Sequence, residues 1–189
     1  MARPVTKRSD IEQAAMRLFA RRGLTGITIK DIAAEAGCAE GALYRHYAGK
    51  EDLAWQLFQR EVEAFGRRIR EVWDSPESSL KRLERGIELF YRFFDEEPEL
   101  FAFILLSQHH FPPDKKLKKN LSPVALVFEF VENASKGGAL RIEDPKLGAA
   151  MLLGIVLQPA TFVAEKKLKG PLVQYAPAVT KAAVRLLRG

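Results

Sequence analysis

The stretch Thr28–Lys50, TIKDIAAEAGCAEGALYRHYAGK, constrains this chain more than any other. Thr28 followed three residues later by Asp31 has the form of a capping box, in which the hydroxyl covers an orphan amide and the carboxylate reaches back to the cap. A helix is therefore expected to start at Thr28. Ile32, Ala33 and Ala36 give it an apolar face, and Gly37 can take the left-handed conformation that ends a helix cheaply. Leu43 then re-enters the core from a second helix, expected over about Ala39 to Tyr47. Two helices crossing at a steep angle need a residue without bulk where their backbones approach, and Ala33 supplies it. The spacing is that of a helix-turn-helix.

The second helix carries Tyr44, Arg45 and His46 on its outer side, with Lys50 at the start of the next helix. A helix fits the major groove of DNA, arginine can fork onto guanine, and hydroxyl, imidazole and ammonium groups suit phosphates. From Ser9 to about Phe58 the sequence resembles the N-terminal DNA-binding domain of the TetR family of one-component transcriptional repressors. The specific part is GCAEGALYRHYAGKEDL, in which the Leu43–Tyr44 pair, Tyr47 and Lys50 stand at the family's spacing. The resemblance implies a DNA-facing set of Thr28, Lys30, Ala39, Glu40, Gly41, Ala42, Tyr44, Arg45, His46 and Lys50. Within it Thr28, Tyr44, His46 and Lys50 would hold phosphates, and Arg45 would read bases, with Gly41 and Ala42 allowing close approach. Two positions depart from the family. Ala39 replaces a serine or threonine and so lacks a cap side chain, and Glu40 suits a helix dipole but repels phosphate unless it accepts from a cytosine amino group.

The net charge of +6 is unevenly placed: residues 1–50 hold nine Lys/Arg against five Asp/Glu, and the rest twenty-one against nineteen. Basicity thus concentrates where nucleic acid would bind. The single cysteine, Cys38, excludes an intramolecular disulfide, and no leader precedes the first helix, so a cytoplasmic protein is expected. Leu147 to Ala164 lacks formal charge, but Gln158, Pro159 and Thr161 interrupt it; a helix buried on several sides is expected there rather than a membrane span.

In chain order, residues 1–8 read as a basic arm. Ser9 to Glu12 is a second capping box, opening an amphipathic helix with Ile11, Ala14, Ala15, Leu18 and Phe19 on one face. Gly23 stops it. A helix from Lys50 to about Trp73, starting against the DNA-binding head and ending in the body, is the candidate lever between them. Further helices follow Ser79, Pro98, Ser122–Pro123 and Asp144–Pro145, the last running to about Leu168, and a final one follows Gly170–Pro171 and ends near Leu187. No strand alternation is visible. An all-α chain of about nine helices results: a three-helix helix-turn-helix domain over residues 1–50 and a helical effector-binding and dimerisation domain over residues 51–189.

The second domain is rich in aromatics at helical spacing, which are core residues or the walls of a cavity. The resemblance implies a ligand-binding body, and pockets between helices have apolar walls with few polar groups. The candidate lining is Phe65, Ile69, Phe90, Phe94, Phe103, Ser107, His110, Phe130 and Gln158, with Gln108 and His109 as further polar groups. So few polar groups favour a mainly apolar small effector. The segment over 147–163 is apolar nearly all round, so a second partner is needed. Leu153, Val156 and Leu157 with Val179, Ala182 and Leu186 on the last helix are the candidate homodimer contacts, as the family's paired four-helix interface implies. No nucleophile elbow, zinc-binding helix or phosphate loop appears, so no catalytic residue, metal or cofactor is expected. The function expected is a dimeric regulator, most simply a repressor, released from a pseudo-palindromic operator by its effector. The rivals are a dimeric DNA-binding protein without effector and a small helical enzyme or carrier.

Overall fold

The computed structural model describes residues 7–107, 110–112 and 115–188. The described residues form nine α-helices and no strand: α1 (Lys7–Arg22), α2 (Ile29–Glu35), α3 (Glu40–Tyr44), α4 (Lys50–Trp73), α5 (Ser79–Glu96), α6 (Pro98–Ser107), α7 (Pro123–Lys136), α8 (Pro145–Ala164) and α9 (Ala176–Arg188). Two 3-10 turns, Lys119–Leu121 and Leu172–Tyr175, complete them. Of the expected arm, residues 1–6 lie outside the described residues, and Lys7 and Arg8 already belong to α1.

The chain divides into two compact units, Met1–Val62 with Glu97–Lys116 and Glu63–Glu96 with Leu117–Gly189. α4 contributes its first half to one unit and its second half to the other.

In the first unit α1 packs against α2, α3 and α6. Ile11, Ala14, Ala15 and Phe19 are completely buried, as their spacing along α1 requires. Phe19 stacks on Phe103 of α6 with ring centroids 5.5 Å apart, and Phe58 meets Phe103 edge-on at 6.5 Å. Phe103 is thus a core residue of the helix-turn-helix unit.

In the second unit α7 packs on α8, α5 on α9, and α8 on α9. Leu83, Tyr91, Leu126, Leu172 and Leu187 fill the interior. Asp95, at the end of α5, accepts the backbone N–H groups of Leu172 and Val173 at 2.7 and 2.8 Å, which fastens the turn before α9 to α5. Gly66 of α4 lets the backbone of Leu121 come close, because a Cβ there would collide with the Leu121 carbonyl.

α8 ends at Ala164, four residues before the expected end. Lys166 adopts φ 59°, its N–H bonds to the Val163 carbonyl at 3.0 Å and the Lys167 N–H to that of Phe162 at 2.8 Å. This is the Schellman arrangement built on lysine instead of glycine, so no glycine marks the stop. Nor is α8 buried on several sides within one chain: only 22% of its most apolar stretch is buried, and Leu147 and Met151 are 57% and 46% exposed. By length and composition it is the one helix among the described residues that could cross a membrane.

Candidate nucleic-acid interface

The interface is built on α2 and α3. Both halves of the capping box at Thr28 are present: the Asp31 N–H donates to Thr28 Oγ1 at 3.2 Å, and the Thr28 N–H donates to Asp31 Oδ2 at 2.8 Å. The Thr28 hydroxyl also gives its proton to Asp31 Oδ2, at 2.7 Å. These bonds hold the Asp31 carboxyl below its usual range. α2 then ends on Gly37 at φ 63°, with the Cys38 N–H returning to the Ala33 carbonyl at 2.9 Å. Ile32, Ala33 and Leu43 are buried between the helices.

α3 has five residues, shorter than the expected span. Its N-cap Ala39 makes no side-chain bond, so nothing strengthens its first turn, and Arg45 is already the C-cap. The N–H groups of His46 and Tyr47 both close on the Leu43 carbonyl, at 2.9 Å each. Glu40, Gly41, Tyr44, Arg45 and His46 are exposed together, Tyr44 to 58%. Lys30 and Ala39 are exposed beside them.

Three members of the expected set have other tasks. Ala42 is only 4% exposed and faces the core, because a single step along the helix from Gly41 turns the Cβ inward; it serves packing, not approach to DNA. The Thr28 hydroxyl proton is committed to Asp31, so Thr28 acts as a cap rather than as a free phosphate donor. Lys50 Nζ donates to the Ile27 carbonyl at 2.9 Å and lies 3.7 Å from Glu51, too far for a hydrogen bond, which leaves two of its three protons for further acceptors.

A polar cluster not anticipated from the sequence anchors the end of this motif. Tyr47, 3% exposed, donates from its hydroxyl to Glu12 Oε1 at 2.6 Å. Arg60 of α4 reaches Glu12 Oε2 at 2.6 Å, and Arg8 reaches Oε1 at 2.9 Å. Burial by itself would raise the Glu12 carboxyl, but the bonds from Tyr47, Arg60 and Arg8 outweigh it and hold the group below its ordinary range. Burial, followed by the bond to Glu12, pushes the Tyr47 hydroxyl up to about 12. One sequence signal pointed here: an acid immediately beside the buried Ile11 on the inner side of α1.

The expected ligand lining is divided between the units. Phe103, Ser107 and His110 belong to the first, where Ser107 is buried and His110 exposed; Phe65, Ile69, Phe90, Phe94, Phe130 and Gln158 belong to the second. Phe65 stacks on Phe93 at 4.6 Å and lies 6.2 Å from Phe90, while Gln158 is exposed on α8. Gln108 and His109 lie outside the described residues. A cavity of about 300 Å³ in the second unit takes only Phe130 from the expected set. Among the described residues no group of three His, Cys, Asp or Glu could hold a metal ion.

Of the expected pairing residues, Leu153, Val156, Leu157 and Leu186 are half-buried and Ala182 is exposed. Val179 is turned into its own chain with 9% exposure, which removes it from a contact face. The open apolar stripe of α8 runs instead through Leu147, Met151, Gly154 and Phe162, a spacing that keeps one helical face.

Residues 11–57 match the family model described as bacterial regulatory proteins, tetR family. The HTH-type transcriptional repressor KstR2 of Mycobacterium tuberculosis is 35% identical over 79 residues, 42% of this chain and 40% of that protein. Its namesake in Mycolicibacterium smegmatis is 29% identical over 135 residues, 71% of this chain and 60% of that one. The matched region thus spans about half the length of these curated relatives. Among solved structures, the fatty acid degradation regulator FadR from Bacillus halodurans superimposes with a TM-score of 0.81 at 22% identity, covering 97% of this chain and 96% of that one. FadR from Bacillus subtilis, solved in complex with stearoyl-CoA, gives 0.81 at 20% identity over 94% and 97%. At such identities the likeness is one of fold.

Proposed function

We propose that this chain, whose residues 11–57 match the tetR family model of bacterial regulatory proteins, is a transcriptional repressor that binds a pseudo-palindromic operator as a homodimer and leaves it when a mainly apolar small molecule binds. The observation that carries this reading is the exposed run Glu40, Gly41, Tyr44, Arg45 and His46 on a short helix whose inner residues are buried. Two such helices related by a two-fold axis enter successive major grooves. Tyr44, His46 and the remaining protons of Lys50 hold phosphates, and Arg45 reads base edges.

In this reading residues 1–50 meet the operator, while residues 51–189 pair the subunits and respond to effector. A second copy covers the open stripe of α8, whose opposite side already packs on α7 and α9. Gln158 within that exposed face argues for a protein partner over lipid, since an unpaired amide in hydrocarbon is costly. An acyl-like effector is the finer expectation, supported by the fatty acid regulators that share the fold. A ligand that prefers one spacing of the two heads lowers operator affinity by the difference in its affinity for the two states.

The test is selection of bound duplexes from a random pool, followed by titration of the selected site with stearoyl-CoA. A palindromic consensus bound at two subunits per site, and released by the acyl-CoA, is the expected result. A selection without consensus would exclude operator recognition, and retention of a true operator at saturating acyl-CoA would exclude that effector class.

A further inference from the structure

The cavity in the second unit lies at the C-terminal end of α4, beside the start of α5 and the second half of α7. Trp73 and Phe130 are among its lining residues: their rings are stacked at 4.4 Å, and the Trp73 indole N–H is already satisfied by the Leu126 carbonyl at 3.1 Å. Ala134, Gly137 and Ala139 line it without bulk, which leaves room for a flat group.

Two arginines, Arg70 and Arg82, and two carboxylates, Asp74 and Glu129, line it, but they are not evenly paired. Arg70 makes a two-pronged bond to Glu129, at 2.7 and 2.8 Å, and lies 3.7 Å from Asp74, so both acids of the wall face one arginine. Arg82, also in the wall, has no carboxylate partner among the described residues. Its guanidinium donates to the Trp73 carbonyl and, at 3.4 Å, to Ser79 Oγ, while its Nε–H is buried without an acceptor. The acids near it in sequence are engaged elsewhere, Glu77 by Arg85 at 2.7 Å and Glu84 by Lys81 at 2.8 Å. A half-buried cation with one close bond, one long bond and one donor without an acceptor is an incompletely satisfied group, because buried polar groups are ordinarily bonded and buried charges paired.

We infer that this cavity is a binding site for a small organic carboxylate with a flat apolar body. The carboxylate pairs with Arg82 at the wall, where a planar guanidinium offers two parallel donors. The body lies over the Trp73–Phe130 stack. At about 300 Å³ the cavity is at the small end of ligand sites, which suits a one-ring acid and excludes a long acyl chain. It is therefore a site separate from that of the acyl-like effector proposed above, and its occupancy is read without DNA.

The test is isothermal titration of the full chain with 3-phenylpropionate, and with 3-phenylpropanol as the uncharged match. The expected result is saturable one-to-one binding of the acid at millimolar concentration or below, with the alcohol weaker by about tenfold or more. Arg82→Gln should weaken the acid by a similar factor and leave the alcohol unchanged. Asn133→Trp, a substitution at an exposed residue of the rim, should block both without touching Arg82, and keeps the inference testable if the arginine variant does not fold. Absence of saturable binding to the wild-type chain overturns the inference. So does equal affinity for acid and alcohol, or unchanged binding in folded Asn133→Trp.

Discussion

The Tyr47 hydroxyl donates a 2.6 Å hydrogen bond to Glu12 Oε1, which fastens the turn after the candidate recognition helix to the first helix of the chain. Arg60 holds the other carboxylate oxygen from α4 at the same distance. Three segments far apart in sequence therefore meet on one side chain.

Removing the hydroxyl leaves the carboxylate with one donor fewer in a largely buried place. Tyr47→Phe should lower stability by about 1.5–3 kcal/mol, the usual range for a hydrogen bond to a charged group. Urea denaturation measures it; an unchanged midpoint would remove the anchoring role of this cluster.

Acid should loosen the same cluster. The Glu12 carboxyl is more acidic in the folded chain than its ordinary value of 4.5, so as pH falls the unfolded chain takes up the proton first. Its contribution is complete above that ordinary value and disappears as pH falls through the folded one. The gap in melting temperature between wild type and Glu12→Gln should accordingly be widest near neutrality and narrow below pH 4.5. A constant gap down to strong acid would assign the effect of the substitution to packing.

On operator DNA, Arg45→Ala should cost about 1–3 kcal/mol and relax discrimination between bases, whereas Lys50→Ala should weaken all duplexes alike and lower the salt slope by about 1. Lys50→Ala should also lower the melting temperature, since it removes the donor to the Ile27 carbonyl. Binding to specific and random duplexes across a salt series separates the two. Equal losses on both duplexes for Arg45→Ala would deny it a base-reading role.

Gly66→Ala places a Cβ against the Leu121 carbonyl, a backbone group that cannot swing aside as a side chain tip can. A loss of about 1–3 kcal/mol is expected, as for overpacking elsewhere. Thermal melting that matches wild type would show that the turn over Lys119–Leu121 yields freely.

Met151 stands in the open stripe of α8 at 46% exposure. Met151→Glu should give a folded monomer in sedimentation equilibrium, with reduced operator affinity. A dimer of wild-type strength would place the pairing face elsewhere.

The helix-turn-helix was legible because its determinants are local. The capping box at Thr28, the left-handed Gly37 and the apolar spacing through Ile32, Ala33 and Leu43 each act within a few residues, and each is found where the pattern puts it. The same holds for the start of α7, where Ser122 caps and Pro123 follows, and for Asp144 before Pro145 in α8. The end of α8 was not legible, since Lys166 takes a conformation that its residue type does not announce. Ala42 was misplaced for another reason: in a helix of five residues the inner and outer faces differ by one position.

What the sequence by itself determined is the succession of helices, the exposed polar character of the candidate recognition helix with Arg45 and His46 at its end, and the apolar surplus of α8, since period, caps and charge are properties of neighbours along the chain. Only the tertiary structure decided that Phe103 belongs with Phe19, that Tyr47 and Arg60 converge on Glu12, and that Arg82 lines a cavity with its Nε–H left without an acceptor among the described residues. These are contacts between segments tens of residues apart. Whether a charge is paired, or an aromatic ring is core or wall, depends on which segments meet, and no local periodicity encodes that.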